Sequence, residues 1–174
     1  MGGYNGSLLG PTVLFETGKT YHITLKNALN EVTTFHWHGL NIVGPYDDGG
    51  PPHAPVYPGG ERKITFTVDQ PSATLWLHPP HPCPETARQV WNGLAAMVLI
   101  KDDHERSLNL PADWGGKNDI PVIMQDRTYY DNQLNYQKSY DVDGTLGEYP
   151  LINGTLNPYF EVTSDCALEV FGRF

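Results

Sequence analysis

The segment Tyr21-His-Ile-Thr-Leu-Lys26 alternates between apolar and polar side chains. Side chains two positions apart share one face of a β-strand, so this alternation predicts a half-buried strand. Residues 64–68 repeat the pattern, with Ile64, Phe66 and Val68 separated by threonines. Further strands are predicted at residues 12–15, 32–36, 74–78, 94–100 and 120–124. Many short strands separated by turns indicate an antiparallel β-sandwich or barrel.

Residues 85–92 break this pattern and predict one short helix. Ala87, Val90 and Trp91 have helical spacing, with Pro84 before them and Gly93 after them. The helix either connects two packed strands or positions the histidines that precede it, and both interpretations stay open. Residues 101–117 are predicted to form a polar loop. Residues 125–147 are predicted to contain an edge hairpin and a linker. Residues 149–162 are predicted to form a strand and a turn at an Asn-Gly pair.

Composition excludes several classes of protein. The 174 residues contain 11 Lys plus Arg against 20 Asp plus Glu, a net charge of −9. An acidic chain of this kind argues against a nucleic-acid partner and against an anionic membrane surface. The longest apolar run, residues 94–100, is too short to span a membrane. The first residues lack the regions of a signal peptide, and the native compartment stays open.

Two close pairs of histidines are the most informative residues. They are His36-Trp-His38 and His78-Pro-Pro-His81, each at the end of a predicted strand. His36 and His38 should share one strand face, about 6.5–7 Å apart at Cα. Imidazole binds Cu, Zn, Fe or Ni, so the two pairs predict a metal site. The other histidines are expected in solvated or loop positions, namely His22, His53 and His104.

Several longer stretches resemble the first domain of bacterial multicopper oxidases, the laccase and bilirubin oxidase family. They are Tyr4-Asn-Gly-Ser-Leu-Leu-Gly-Pro-Thr12, Thr34-Phe-His-Trp-His-Gly-Leu40, Asp48-Gly-Gly-Pro51, Asp69-Gln-Pro-Ser-Ala-Thr-Leu-Trp-Leu-His78, Gln89-Val-Trp-Asn-Gly-Leu-Ala95 and Ile152-Asn-Gly-Thr-Leu-Asn-Pro158. The resemblance implies an all-β, cupredoxin-like Greek-key β-sandwich over residues 1–144. It also implies a linker and the start of a second domain over residues 145–174, with both ends of the chain cut.

The resemblance also implies copper as the cofactor. His36 would bind the type 2 copper, and His38, His78 and His81 would bind type 3 coppers. Asp48 would assist proton delivery, although the adjacent Asp47 could take that role. Dioxygen and a small-molecule reductant (a phenol, an aromatic amine or a metal ion) would be the substrates, with dioxygen reduced to water.

Two features depart from the family pattern. Two prolines separate His78 from His81 where the family has one residue, and a polyproline II turn would still put both histidines on one side. The family's type 1 copper site needs a cysteine with histidine partners, but Cys83 lies between prolines and Cys166 has no histidine near it. The family also places the other half of its trinuclear copper ligands in its last domain. The resemblance therefore implies that the isolated chain carries half of these ligands and needs a partner domain or chain to complete the site.

Three alternatives remain. The chain could be a copper-binding cupredoxin module without oxidase activity of its own, which the missing type 1 motif favours. It could be a structural or interaction domain, against which the four histidines argue. A zinc hydrolase is the third, but no glutamate accompanies the histidines in a catalytic motif.

Overall fold

The computed structural model describes residues 3–6, 8–43, 48, 55–80, 86–109, 119–136 and 145–161. Some residues singled out in the sequence lie outside these ranges, namely Asp47, His53, His81, Cys83 and Cys166. Predictions that concern them stay predictions, including the polyproline II geometry that would put His78 and His81 on one side.

The described part of the chain consists of short strands and two short helices. The strands are β1 (Val13–Glu16), β2 (Thr20–Lys26), β3 (His36–His38), β4 (Glu61–Thr67), β5 (Ala73–His78), β6 (Ala96–Lys101), β7 (Met124–Arg127), β8 (Tyr129–Tyr130), β9 (Gln133–Leu134), β10 (Tyr149–Ile152) and β11 (Thr155–Leu156). The helices are α1 (Thr86–Trp91) and α2 (Asp103–Ser107). In these residues, no helix has the length and apolar character needed to cross a membrane.

Two layers of strands enclose one core. The first layer is a four-stranded sheet in the order β1-β6-β5-β3, and the second is the antiparallel pair β2-β4. Phe15 from the first layer packs edge-on against Phe66 from the second, with ring centroids 5.4 Å apart. Apolar side chains of both layers belong to the same buried cluster. The predicted all-β sandwich is confirmed.

Strand β1 does not follow the antiparallel prediction. It runs parallel to β6, with Val13 paired to Val98. Strands joined by a tight hairpin pair in antiparallel fashion. Strands β1 and β6 are neighbours in the sheet, but β2 to β5 lie between them in the sequence. The pairing direction therefore depends on how the chain crosses between the layers, which local alternation does not encode.

The helices agree only partly with the sequence prediction of a single helix. Helix α1 lies in the predicted stretch, and Gly93 follows it with a φ of 114°. Helix α2 lies in residues predicted as a loop. The Asp102 side chain caps it by accepting the backbone N–H of Glu105. An aspartate followed three residues later by a glutamate is a recognised start signal, and the sequence interpretation overlooked it.

Two predicted strands, at residues 32–36 and 120–124, begin four residues later in the structure. Residues 32–35 precede β3, and Thr33 forms an isolated bridge with Val56 instead of a ladder. Residues 120–123 precede β7. The backbone N–H of Ile123 donates to the side-chain oxygen of Asn153 and is therefore not used in a strand ladder. Strand β7 then continues to Arg127, into residues for which a hairpin and a linker were predicted.

Two hairpins complete the described chain. An edge hairpin was predicted here, and strands β8 and β9 form a hairpin that is a two-stranded sheet of its own. Strands β10 and β11 turn at Asn153 and Gly154, whose φ angles are 49° and 76°. Such positive φ values are what a tight hairpin turn requires. Strand β10 also pairs with β7. The domain boundary expected after residue 144 stays a prediction.

Candidate metal centre

Strands β3 and β5 lie side by side and bring three of the predicted ligands together. Their register pairs His36 with His78 and His38 with Trp76. The intervening residues Trp37 and Leu77 belong to the buried core. Because side chains alternate along a strand, His36, His38 and His78 share the face turned away from the core.

The three imidazoles are close enough to share metal ions. One nitrogen from each of His36, His38 and His78 lies within 4.8 Å of the other two. The Nδ1 atom of His38 is 3.1 Å from the Nε2 atom of His78. Imidazole nitrogens bind a metal at about 2.0–2.1 Å, which separates adjacent ligand nitrogens by about 3 Å. His38 and His78 thus have the spacing of two ligands on one ion.

In two of these rings, the Nδ1 nitrogen lies next to an oxygen atom of a neighbouring residue. His78 Nδ1 lies 2.9 Å from the carbonyl oxygen of Pro79, and His36 Nδ1 lies 3.0 Å from Oδ1 of Asp48. A carbonyl oxygen, or the oxygen of an ionised carboxylate, can only accept, so each Nδ1 donates its proton to that oxygen and each Nε2 is the nitrogen that can bind a metal. The Nε2 lone pair of His78 faces His38 Nδ1. Metal-binding histidines commonly have this arrangement, because the outer contact fixes the tautomer and the ring orientation.

Burial sets the protonation of the site. It lowers the pKa of His78 to about 4, so this ring is neutral and able to bind a metal at pH 7. Burial also raises the pKa of Asp48, an effect that the nearby His36 partly opposes. Asp48 Oδ1 accepts the backbone N–H of Trp37 at 3.3 Å as well. The carboxyl group is therefore joined to two consecutive residues of β3.

Helix α1 supports the segments next to the histidines. The Thr86 hydroxyl donates to the carbonyl of Pro80 at 2.7 Å, just beyond the end of β5. The Gln89 side chain, 2% exposed, donates to the carbonyl of Val32 at 2.9 Å, just before β3. The helix is therefore a packing element that also contacts both histidine-bearing segments.

The remaining histidines and one unexpected residue complete the site description. His22 is exposed on β2, where it pairs with the Thr65 hydroxyl at 2.9 Å, and His104 is exposed on α2. Sequence reasoning missed Trp76, whose ring stacks on that of His78 with centroids 3.9 Å apart. The available signal was its place two residues before His78 on an alternating strand.

Comparisons of the sequence show the family of this chain. The sequence model of the multicopper oxidases matches residues 1–105. The multicopper oxidase mco of Staphylococcus epidermidis is 51% identical over 156 residues, which are 90% of this chain and 34% of that protein. The cell division protein FtsP of Escherichia coli is 34% identical over 161 residues, 92% of this chain and 33% of that protein. The chain thus spans about a third of the length of these curated relatives.

Solved structures agree with the sequence comparisons. A multi-copper oxidase from Pediococcus acidilactici superposes with a TM-score of 0.83 at 76% identity, over 90% of this chain and 32% of that one. A laccase from Pediococcus acidilactici gives a TM-score of 0.82 at 75% identity, over 89% and 33%. The predicted cupredoxin-like Greek-key β-sandwich is confirmed by this likeness. From its sequence, its fold and its convergent histidines, the chain belongs to the multicopper oxidase family.

Proposed function

We propose that this chain supplies part of the copper site of a laccase-type multicopper oxidase. The whole protein would couple one-electron oxidation of phenols, aromatic amines or metal ions to the reduction of dioxygen to water. Family membership and likeness to a laccase support the proposal. The observation that carries it is the group of three imidazoles whose nitrogens lie within 4.8 Å of one another.

The donor chemistry fits copper. We assign His36 to the type 2 position and His38, His78 and His81 to type 3 positions, following the motif order shared with the family. Imidazole is a good ligand for copper, which supplies one-electron redox chemistry when bound. The contacts of Asp48 and Pro79 with the Nδ1 atoms of His36 and His78, which direct the Nε2 atoms of these rings to a metal, support this assignment.

We assign Asp48 two tasks at this site. Its contact with His36 Nδ1 orients that imidazole. It would also hold a proton and pass it toward the space between the histidines, as the family resemblance implies. Its burial beside β3 supports this task, because a half-buried carboxyl group retains a proton more readily than an exposed one.

The alternative is a copper-binding module without oxidase activity of its own. Cys83 lies between prolines and Cys166 has no histidine near it, so neither supplies an evident type 1 ligand set. The proposed oxidase would then obtain its electron-accepting site from a partner domain or chain. The two candidates make the same prediction for copper binding and different predictions for turnover.

Copper titration of the purified chain tests the site common to both candidates. We expect the double variant His36→Ala/His38→Ala to lose at least tenfold in copper affinity, because it removes two adjacent ligands. The matched control is His22→Ala/His104→Ala, whose histidines are exposed and lie on other elements. The control should bind copper as the wild type does. Equal losses in the two variants would contradict the site.

A chimaera separates the two candidates. This chain would replace the corresponding third of the Pediococcus acidilactici laccase, to which it is 75% identical. If the chain belongs to an oxidase, the copper-loaded chimaera should consume dioxygen with a phenolic reductant, and His36→Ala/His38→Ala should abolish that uptake. A folded chimaera that binds copper at these histidines without consuming dioxygen would favour the binding module.

A further inference from the structure

Four aromatic rings form an array on the outer face of β3 and β5. The register places His36 across from His78, and His38 across from Trp76. Three corners of the array are imidazoles and the fourth is an indole. The proposed copper site uses the three histidines and leaves the indole without a role.

The indole of Trp76 lies nearly parallel to both of its histidine neighbours. Its centroid is 3.9 Å from that of His78 at an interplanar angle of 28°. It is 5.3 Å from that of His38 at 27°. These are the two rings whose nitrogens approach to 3.1 Å. The indole therefore contacts the closest pair of candidate ligands.

Core packing does not account for the position of Trp76. Its side chain is 40% exposed, whereas Trp37, on the opposite face of the same sheet, is 3% exposed. The buried core cluster contains Trp37 and does not contain Trp76. Its described ring contacts are with the two histidines.

An indole in this position restricts the rotation of the imidazoles. The final torsion of a histidine side chain has broad minima, so an exposed ring samples many orientations unless a neighbour holds it. His78 is already held at Nδ1 by the Pro79 carbonyl. Stacking on Trp76 also constrains the ring plane of His78. The same indole stacks on His38, whose side chain is exposed. The electron-rich face of an indole also attracts cationic and electron-poor groups, including a metal-bound imidazole.

We propose that Trp76 is a positioning residue that holds the ring planes of His38 and His78 so that their facing nitrogens share one metal ion. The metal in this inference rests on the proposed copper-binding function. The ring positions do not, since they can be measured in the metal-free protein.

The test compares Trp76→Phe, which keeps an aromatic ring, with Trp76→Leu, which keeps only apolar bulk. The matched control is Tyr149→Ala. Tyr149 is also a strand aromatic, 45% exposed, whose ring lies beside another aromatic ring, that of Tyr129. Unfolding curves establish that each variant is folded before the site is measured.

NMR of the metal-free protein reads the ring positions. A stacked indole shifts the imidazole C–H resonances of His38 and His78 upfield. We expect this shift to disappear in Trp76→Leu, to persist in part in Trp76→Phe and to remain complete in Tyr149→Ala. Unchanged histidine resonances in Trp76→Leu would overturn the positioning role.

Copper affinity, measured by competition with a chelator, gives the second readout. Aromatic stacking typically changes an equilibrium constant by roughly two- to tenfold. We expect Trp76→Leu to bind Cu²⁺ more weakly by that factor and with a broader EPR spectrum. Trp76→Phe should recover most of the affinity, and Tyr149→Ala should match the wild type.

The outcomes separate this inference from the proposed function. Equal copper affinity in the wild type and Trp76→Leu would overturn the positioning role and leave the copper site intact. A wild-type chain that binds no copper would overturn the proposed function. The NMR comparison would then still decide whether Trp76 holds the two rings.

Discussion

At the level of single residues, neighbouring oxygens and burial decide which nitrogens are free to bind a metal. The Pro79 carbonyl fixes the proton of His78 on Nδ1, and burial keeps that ring neutral. Asp48 does the same for the tautomer of His36. Both Nε2 atoms therefore carry the lone pair, and that of His78 faces His38 Nδ1.

The lowered pKa of His78 predicts how the stability of the metal-free protein depends on pH. The pKa is 6.5 for an ordinary histidine and about 4 in the folded protein. Between these values the unfolded chain binds a proton that the folded chain does not, so stability rises with pH in this window. The contribution of His78 is complete above pH 6.5 and is lost as the pH falls toward 4.

Urea unfolding at pH 7 and pH 4.5, in the presence of a chelator, measures this effect. The wild type should lose more stability on acidification than His78→Asn, which has no titrating ring. Asp48 acts in the opposite direction: its raised pKa adds stability as the pH falls through the folded-state pKa. His78→Asn keeps Asp48, so the difference between the two proteins reports His78. Equal losses would exclude His78 as the source.

The sequence named the candidate site residues but did not predict their geometry. The spacing of His36 and His38 predicts a shared face, and the family motifs named His78 and Asp48 as well. The 3.1 Å approach of His38 to His78 joins residues 40 positions apart. That approach depends on the register of β3 against β5, which a local pattern does not encode. Trp76 was missed although its place two residues before His78 puts it on the same face of the strand.

At the level of elements, strands were predictable where alternation continued over several residues. Strand β2 (Thr20–Lys26) was predicted nearly in full, whereas the prediction for residues 64–68 covered only the second half of β4 (Glu61–Thr67). Strand β3 has only three residues. Before it, the backbone of Thr33 forms a bridge with Val56, and the Thr33 hydroxyl donates to the side chain of Gln89. Such tertiary contacts leave no trace in periodicity. Helix α2, by contrast, was predictable from Asp102 and Glu105.

Helix α1 should stabilise the approach to β3 through Gln89. We expect Gln89→Met, which keeps most of the volume, to lose about 1–3 kcal/mol of stability. The substitution removes two hydrogen bonds of a buried side chain, one donated to the Val32 carbonyl and one accepted from the Thr33 hydroxyl. Denaturant unfolding measures this change. His104→Ala, an exposed position on α2, serves as the control. A loss below about 0.5 kcal/mol, the range of ordinary surface substitutions, would contradict the supporting role of Gln89.

At the level of the whole molecule, the candidate centre lies on an outer face of the sandwich. Its strands contribute Trp37 and Leu77 to the core on one side and histidines to the surface on the other. The chain spans about a third of the length of its curated relatives. A copper site shared with a further domain or chain is therefore compatible with the position of these histidines.

Diffraction from copper-loaded crystals would locate the metal itself. An anomalous difference map recorded at the copper edge should contain a peak about 2.0–2.1 Å from His38 Nδ1 and His78 Nε2, with His36 bound to a neighbouring ion. Copper bound at His22 or His104, with no peak beside the three histidines at saturating copper, would contradict the assignment of His36, His38 and His78 as the copper ligands of this chain.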